Sequence, residues 1–199
     1  MRASVFYVAF LPQGALAFAA AVLYNGGKRR ALAANLAEKR GKLMQKQDIY
    51  ERMRALGVTL PPVQEKIGLY RPVQPFGGNL WYCSGCGSIA GAEAVCGKVG
   101  VDRTLGEARH AARLCALNLL SNMQAALHDL NRVRRLVKLT GFVNCSAEFA
   151  YQPDVLNGAS ELFLQLFGEE AGLPARSAVG VYALPMGLTC EAELLFEAD

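Results

Sequence analysis

The chain has 199 residues, 52% of them hydrophobic, with a mean hydropathy of +0.18. That suffices for one domain with a real core and excludes a disordered polypeptide. Its net charge is +4, from 21 basic and 17 acidic residues, but nine basic and three acidic residues fall within Lys28 to Arg54. With Arg2 also set aside, the remainder carries −3. Nucleic-acid binding normally needs a clustered basic face, so the charge argues against that partner. The six cysteines, Cys83, Cys86, Cys96, Cys115, Cys145 and Cys190, sit in a chain too large and apolar to be a disulfide scaffold. Several lie inside apolar runs, as small buried hydrophobes do, and a reducing cytoplasm is the expected compartment.

Residues 1–47 read as an N-terminal extension and 48–199 as the main domain. Ala3 to Tyr24 is apolar and is followed by Lys28-Arg29-Arg30. A bilayer span takes about 20 apolar residues, so the length suffices for an anchor whose trailing charge would hold the rest in the cytoplasm. Pro12, Gln13 and Gly14 interrupt the run, and a signal peptide would have a thin basic start and no clear cleavage site. A third reading is translation from Met44, preceded by Glu38-Lys39-Arg40-Gly41-Lys42, which purine-rich codons resembling a ribosome-binding site could encode.

From Asp48 the pattern is regular. Asp48 to Leu56 suits a short amphipathic helix, stopped by Gly57 and Pro61-Pro62. Tyr70 to Gln74 and Leu80 to Ser84 read as strands across the turn Phe76-Gly77-Gly78-Asn79. Pro72 confines the first to a sheet edge. Five glycines between Gly85 and Gly100 predict a loop-rich stretch. Thr104-Leu105-Gly106-Glu107 is a capping box opening a helix that runs to about Asp129. Its apolar face is Leu105, Ala108, Ala112, Cys115, Leu119 and Met123, with Glu107, His110, Arg113, Ser121 and Gln124 largely elsewhere. Val133 to Val143 reads as a long strand and Leu156 to Phe167 as a second helix, ended by Gly168 and Gly172. Ala175 to Leu184 and Leu188 to Phe196 are closing strands joined at Pro185-Met186-Gly187. In the last, Leu188, Cys190, Ala192, Leu194 and Phe196 share one face; Thr189, Glu191, Glu193 and Glu197 share the other, with Leu195 the apolar exception. Strands, helix, strand, helix, strands make α+β the natural class.

Four segments in register carry a resemblance: Ala175-Arg176-Ser177-Ala178-Val179, Cys190-Glu191-Ala192-Glu193, Ser84-Gly85, and Lys138-Leu139-Thr140-Gly141-Phe142-Val143. From about Asp48 to the C-terminus the chain resembles the Rid (YjgF/L-PSP-type, RidA-like) family. The resemblance implies a chorismate-mutase-like subunit, a sheet backed by two helices, assembled as a homotrimer with ligand sites in the clefts between subunits. It implies hydrolysis of 2-imino or enamine acids to 2-keto acids and ammonia, without a cofactor or metal. It also makes Arg176 the clamp for the substrate carboxylate and Glu191 the group that orients the attacking water. Tyr70 would line the cleft, Ser84 and Gly85 would close it, and Asn157, reached through a small insertion, would match a helix asparagine. Ala178 departs from the cysteine of several deaminating members, which puts substrate range first and activity second in question.

The residue types suit that chemistry. A guanidinium grips a carboxylate with two parallel hydrogen bonds, and a strand carboxylate can position water and take its proton. A surface salt bridge for Arg176, an exposed carboxylate for Glu191 and interface packing for Tyr70 are the plainer readings. A binding module that holds a small acid without turnover is the alternative function, and an L-PSP-type ribonuclease the second alternative. Cys83-Ser84-Gly85-Cys86 has no second ligand pair for zinc and opens no helix as a thioredoxin-type motif does, so structural cysteines are expected. His110 and His128 read as a solvated helix face.

Overall fold

The computed structural model describes residues 48–66 and 68–199. The apolar stretch Ala3 to Tyr24 and the Met44 start lie outside them. No helix among the described residues is long and apolar enough to cross a membrane.

A five-stranded sheet runs in the order β1-β2-β7-β5-β6, from β1 (Val73–Pro75), β2 (Leu80–Gly87), β5 (Val133–Asn144), β6 (Ala175–Val181) and β7 (Cys190–Ala198). A small hairpin, β3 (Ile89–Ala90) with β4 (Glu93–Ala94), stands beside it. All neighbours in the main sheet are antiparallel except β5 and β6. Those two are joined by a crossover helix, as parallel neighbours require. Two long helices, α2 (Leu105–Leu127) and α3 (Gln152–Gly172), back the sheet, and a short α1 (Ile49–Ala55) is a third. The class is therefore α+β, with two long helices against the sheet and the short α1 packed on α3.

The capping box forms as the sequence predicts: Thr104 Oγ1 accepts from the Glu107 amide, and Glu107 Oε2 accepts from the Thr104 amide at 2.9 Å. The helix ends at Leu127, with His128 left-handed at φ 63°. Its face Ala108, Ala111, Ala112, Cys115, Leu119 and Met123 is fully buried, whereas Leu105, in the first turn, stays exposed. Small residues let α2 and α3 meet at backbone distance: a Cβ on Gly158 would overlap the Arg109 carbonyl. Tyr50 anchors α1, its hydroxyl donating to Gln124 Oε1 at 2.6 Å and accepting from the Leu130 amide at 2.8 Å, while Arg52 donates to the Leu166 carbonyl.

Several boundaries differ from expectation. Tyr70 precedes its strand, which begins at Val73, because Pro72 has no N–H to give to a ladder. Strand β2 continues past Ser84 through Gly85 and Cys86 to Gly87, taking the cysteine pair inside the strand. Helix α3 starts at Gln152, four residues early, since Pro153 is pre-set for a first helical turn. It breaks at Gly168, at φ 78°. Strand β6 stops at Val181 and β7 starts at Cys190. Ser121 and Thr189, expected on polar faces, are buried: Ser121 donates to the Pro61 carbonyl and Thr189 to the Gly97 carbonyl. A hydroxyl with a backbone partner is buried at little cost.

Candidate active site

The strand alternation of β7 sets Cys190, Ala192, Leu194 and Phe196 into the core and turns Glu191 the other way. Glu191 stands opposite Gly87 on one side and Phe142 on the other. A register irregularity in β2 lies beside it: Cys83 faces Leu194 and Cys86 faces Ala192, three residues on one strand against two on its partner. This is a β-bulge, a device that re-aims side chains next to functional sites. Gly85 sits in the bulge, and any Cβ there would overlap Glu191 Oε1. The glycine therefore makes room for the carboxylate.

Strand β1 pairs with β2 only at Trp81 to Cys83. Past that point a cavity of about 480 Å³ opens, with Tyr70, Ser84, Gly85, Cys86, Asn118 and Glu191 among its walls. The volume falls in the range of small-molecule sites. Ser84 is fixed at its mouth, its hydroxyl donating to the Arg71 carbonyl at 2.7 Å and its amide to the Pro72 carbonyl at 2.9 Å. Burial pushes the Glu191 carboxyl above the usual carboxylate range, and the neighbouring charge of Glu193 adds to it. The neighbouring Glu193 carboxylate, with burial adding to it, pushes Tyr82 up to about 12.

Arg176 and Asn157 are not in that cavity. Arg176, opposite Leu139 on the edge strand β6, reaches across to α3, where its Nη1 donates to Asn157 Oδ1 and Ser160 Oγ, both at 2.9 Å. Among the described residues no carboxylate lies within ion-pair distance of it. One of its nitrogens thus rests on neutral acceptors while the charge stays uncompensated. Glu191 and Arg176 are two strands apart, roughly 10 Å across the ladder, and point to opposite faces of the sheet. The four predicted residues of one group (Tyr70, Ser84, Gly85, Glu191) share one site, and the two of the other (Arg176, Asn157) share another.

Sequence reasoning passed over the helix wall of the cavity. Asn118 donates to the Gly87 carbonyl at 3.0 Å and to the Ile89 carbonyl, while its buried Oδ1 has no partner among the described residues. Asn122 donates to Cys86 Sγ at 3.2 Å. The available signal was an asparagine pair at i, i+4 spacing within the largely apolar run Leu114 to Met123 of that helix. Ser160, one turn beyond Asn157, was readable on the same argument. His110 lies outside the cavity, its Nε2 2.6 Å from Glu93 Oε1, and His128 is exposed.

A sheet with two long helices on one face, and a cavity with Glu191 in its wall at the free part of β2, is the architecture of a chorismate-mutase-like α+β protein. The family model described as "YjgF/chorismate mutase-like, putative endoribonuclease" matches residues 50–198, and the chain belongs to that family. It is similar to the crystal structure of protein Atu1372, of unknown function, from Agrobacterium tumefaciens. That match has 41% identity and a TM-score of 0.70, over 76% of this chain and 92% of that one. A Shewanella oneidensis "putative endoribonuclease" is 30% identical with a TM-score of 0.72, over 76% of this chain and 99% of that one. Protein TCP17 of Trypanosoma cruzi is 54% identical over 103 residues, which is 52% of this chain and 64% of that protein. The match thus spans under two thirds of the curated relative's length.

Proposed function

We propose that this chain hydrolyses 2-imino or enamine acids to 2-keto acids and ammonia, in the cytoplasm, at clefts between the subunits of a homotrimer. The observation that carries the reading is the pairing of an uncompensated guanidinium at one sheet edge with a carboxylate cavity at the other. Arg176 of one subunit, steadied by Asn157 and Ser160, grips the substrate carboxylate with its remaining N–H groups. Glu191 of the next subunit accepts a proton from water as that water attacks the imine carbon. The amine nitrogen takes up a proton and leaves as ammonia, and the hydroxyl collapses to the ketone. A carboxyl already pushed upward by burial is a better base than an ordinary glutamate. Tyr70, Ser84 and Gly85 shape the cleft and exclude bulk water.

The test is ammonia release from enzymatically generated 2-iminobutanoate, with the chain and its Arg176→Ala variant. The expected outcome is acceleration that falls at least about 100-fold in the variant, the scale of losing a buried charge-assisted clamp. Ala178 favours one other reading, since it removes a cysteine that several deaminating relatives carry: a module that binds small acids without turnover. Binding of 2-ketobutanoate that needs Arg176, with no acceleration of imine loss, would select it. A ribonuclease is disfavoured by the charge of the described residues, 13 basic against 16 acidic.

A further inference from the structure

Three residues apart on a regular strand, Cys83 and Cys86 would point to opposite faces with their α-carbons about 10 Å apart, too far for a disulfide. The bulge between them changes both facts. Because Cys83 stands opposite Leu194 and Cys86 opposite Ala192, both side chains turn to the buried face. Their separation becomes that of residues two apart on the facing strand, about 6.7 Å, which is at the upper end of the disulfide range. The Asn122 amide donates to Cys86 Sγ at 3.2 Å, and the Cys86 thiol in turn donates to the Ser84 carbonyl at 3.6 Å. The two thiols differ in access. Cys83 is fully enclosed, whereas Cys86 lines the Glu191 cavity. The other close thiol pair, Cys115 with Cys190, is fully buried and takes no part in the cavity lining.

We propose that Cys83 and Cys86 are a reversible dithiol–disulfide pair in the wall of the cavity, oxidised by hydroperoxides small enough to enter it. Cys86 sulfur attacks the outer peroxide oxygen. The S–O bond forms as the O–O bond breaks, and the departing oxygen takes a proton and leaves as alcohol or water. Cys83 then attacks the Cys86 sulfenic sulfur. The S–S bond forms, the S–O bond breaks, and the hydroxyl leaves as water with the Cys83 proton. Two thiols lose two electrons and two protons, and the peroxide is reduced by the same two electrons. The neighbouring Cys86 thiol and burial push the Cys83 thiol up and hold it protonated, which suits the resolving rather than the attacking partner. Since Gly85 lies between the two cysteines and against Glu191 Oε1, the bridge tightens the bulge on which that carboxylate rests.

The experiment treats the folded chain with hydrogen peroxide, alkylates the remaining thiols, and maps the tryptic peptide 67–98, which holds Cys83, Cys86 and Cys96. The expected result is loss of two thiols of six, with Cys96 still alkylated and full recovery on adding dithiothreitol. The Ser84 and Gly85 amide resonances should move on oxidation and return on reduction. In Cys83→Ser the reaction should stop at a Cys86 sulfenic acid that dimedone traps. A bridge to any other cysteine, irreversible oxidation of Cys86 beside an intact Cys83, or six unreacted thiols in the folded wild-type chain overturns the proposal. None of these readouts depends on imine hydrolysis, so the result stands apart from the function proposed above.

Discussion

A glutamate set between Cys190 and Ala192 loses hydration on folding and gains no cation in return among the described residues, which is why its carboxyl is pushed up. The sign of the linkage follows. A raised carboxyl contributes stability below its unfolded value, and that contribution is lost as pH rises through the folded value. At neutral pH the charged side chain therefore weighs against the fold. Glu191→Gln is expected to raise Tm at neutral pH, with the difference vanishing below the ordinary glutamate range, while abolishing imine hydrolysis. Calorimetry across pH beside the ammonia assay checks both halves. For the wild type, the acid limb of kcat should sit above the ordinary glutamate value. Gly85→Ala makes a complementary probe. Its Cβ meets the carboxylate rather than the core, so activity should fall at least about 10-fold, as small misplacements of a catalytic group do. Ser84, Gly85 and Glu191, which meet in one cavity, lay in short segments that stood in register; Arg176 lay in such a segment but sits outside that cavity, and Tyr70 lay in none of them. Asn118 and Asn122 were not legible, since a polar residue on an apolar helix declares its wall only once the neighbouring strand is known.

At the scale of elements, the contact of α2 with α3 is the most restrictive. Gly158 sits against the backbone carbonyl of Arg109, and a backbone obstacle cannot rotate aside as a side chain does. Alanine is the better helix former by about 1 kcal/mol, yet Gly158→Ala is expected to destabilise by about 3 kcal/mol through overpacking. In a domain of this size that lowers Tm by about 6–12 °C, which thermal unfolding measures directly. Local chemistry made some elements readable: the Thr104–Glu107 box named the start of α2, and alternation named the two faces of β7. Others depended on partners distant in sequence. The glycines after Ser84 looked like a loop, but pairing with β7 draws them into β2, and no residue type announces a bulge. The start of α3 was missed because Gln152 and Pro153 precede the apolar periodicity that marks the helix.

At the scale of the whole molecule, sheet order separates what the proposed chemistry needs together. β6 carries Arg176 on one flank, and β2 with β7 carries the Glu191 cavity toward the other. If adjacent subunits complete each site, two inactive variants can repair one another. Arg176→Ala and Glu191→Gln, co-refolded in equal amounts, should recover about a quarter of wild-type activity. Random cyclic assembly makes that fraction of interfaces whole. No recovery would place both residues in one chain's site. Chain order and composition revealed the α+β class but not this division, because strand neighbours are settled in space, not in sequence.

The same sheet order leaves β6 with one side unpaired among the described strands. Its seven residues, Ala175–Val181, contain a single charge, Arg176, and no proline. A row of open amides and carbonyls with so little to repel a neighbour is a template for unwanted strand addition. Arg176 is the one charge on that border, and it works against stray strand addition.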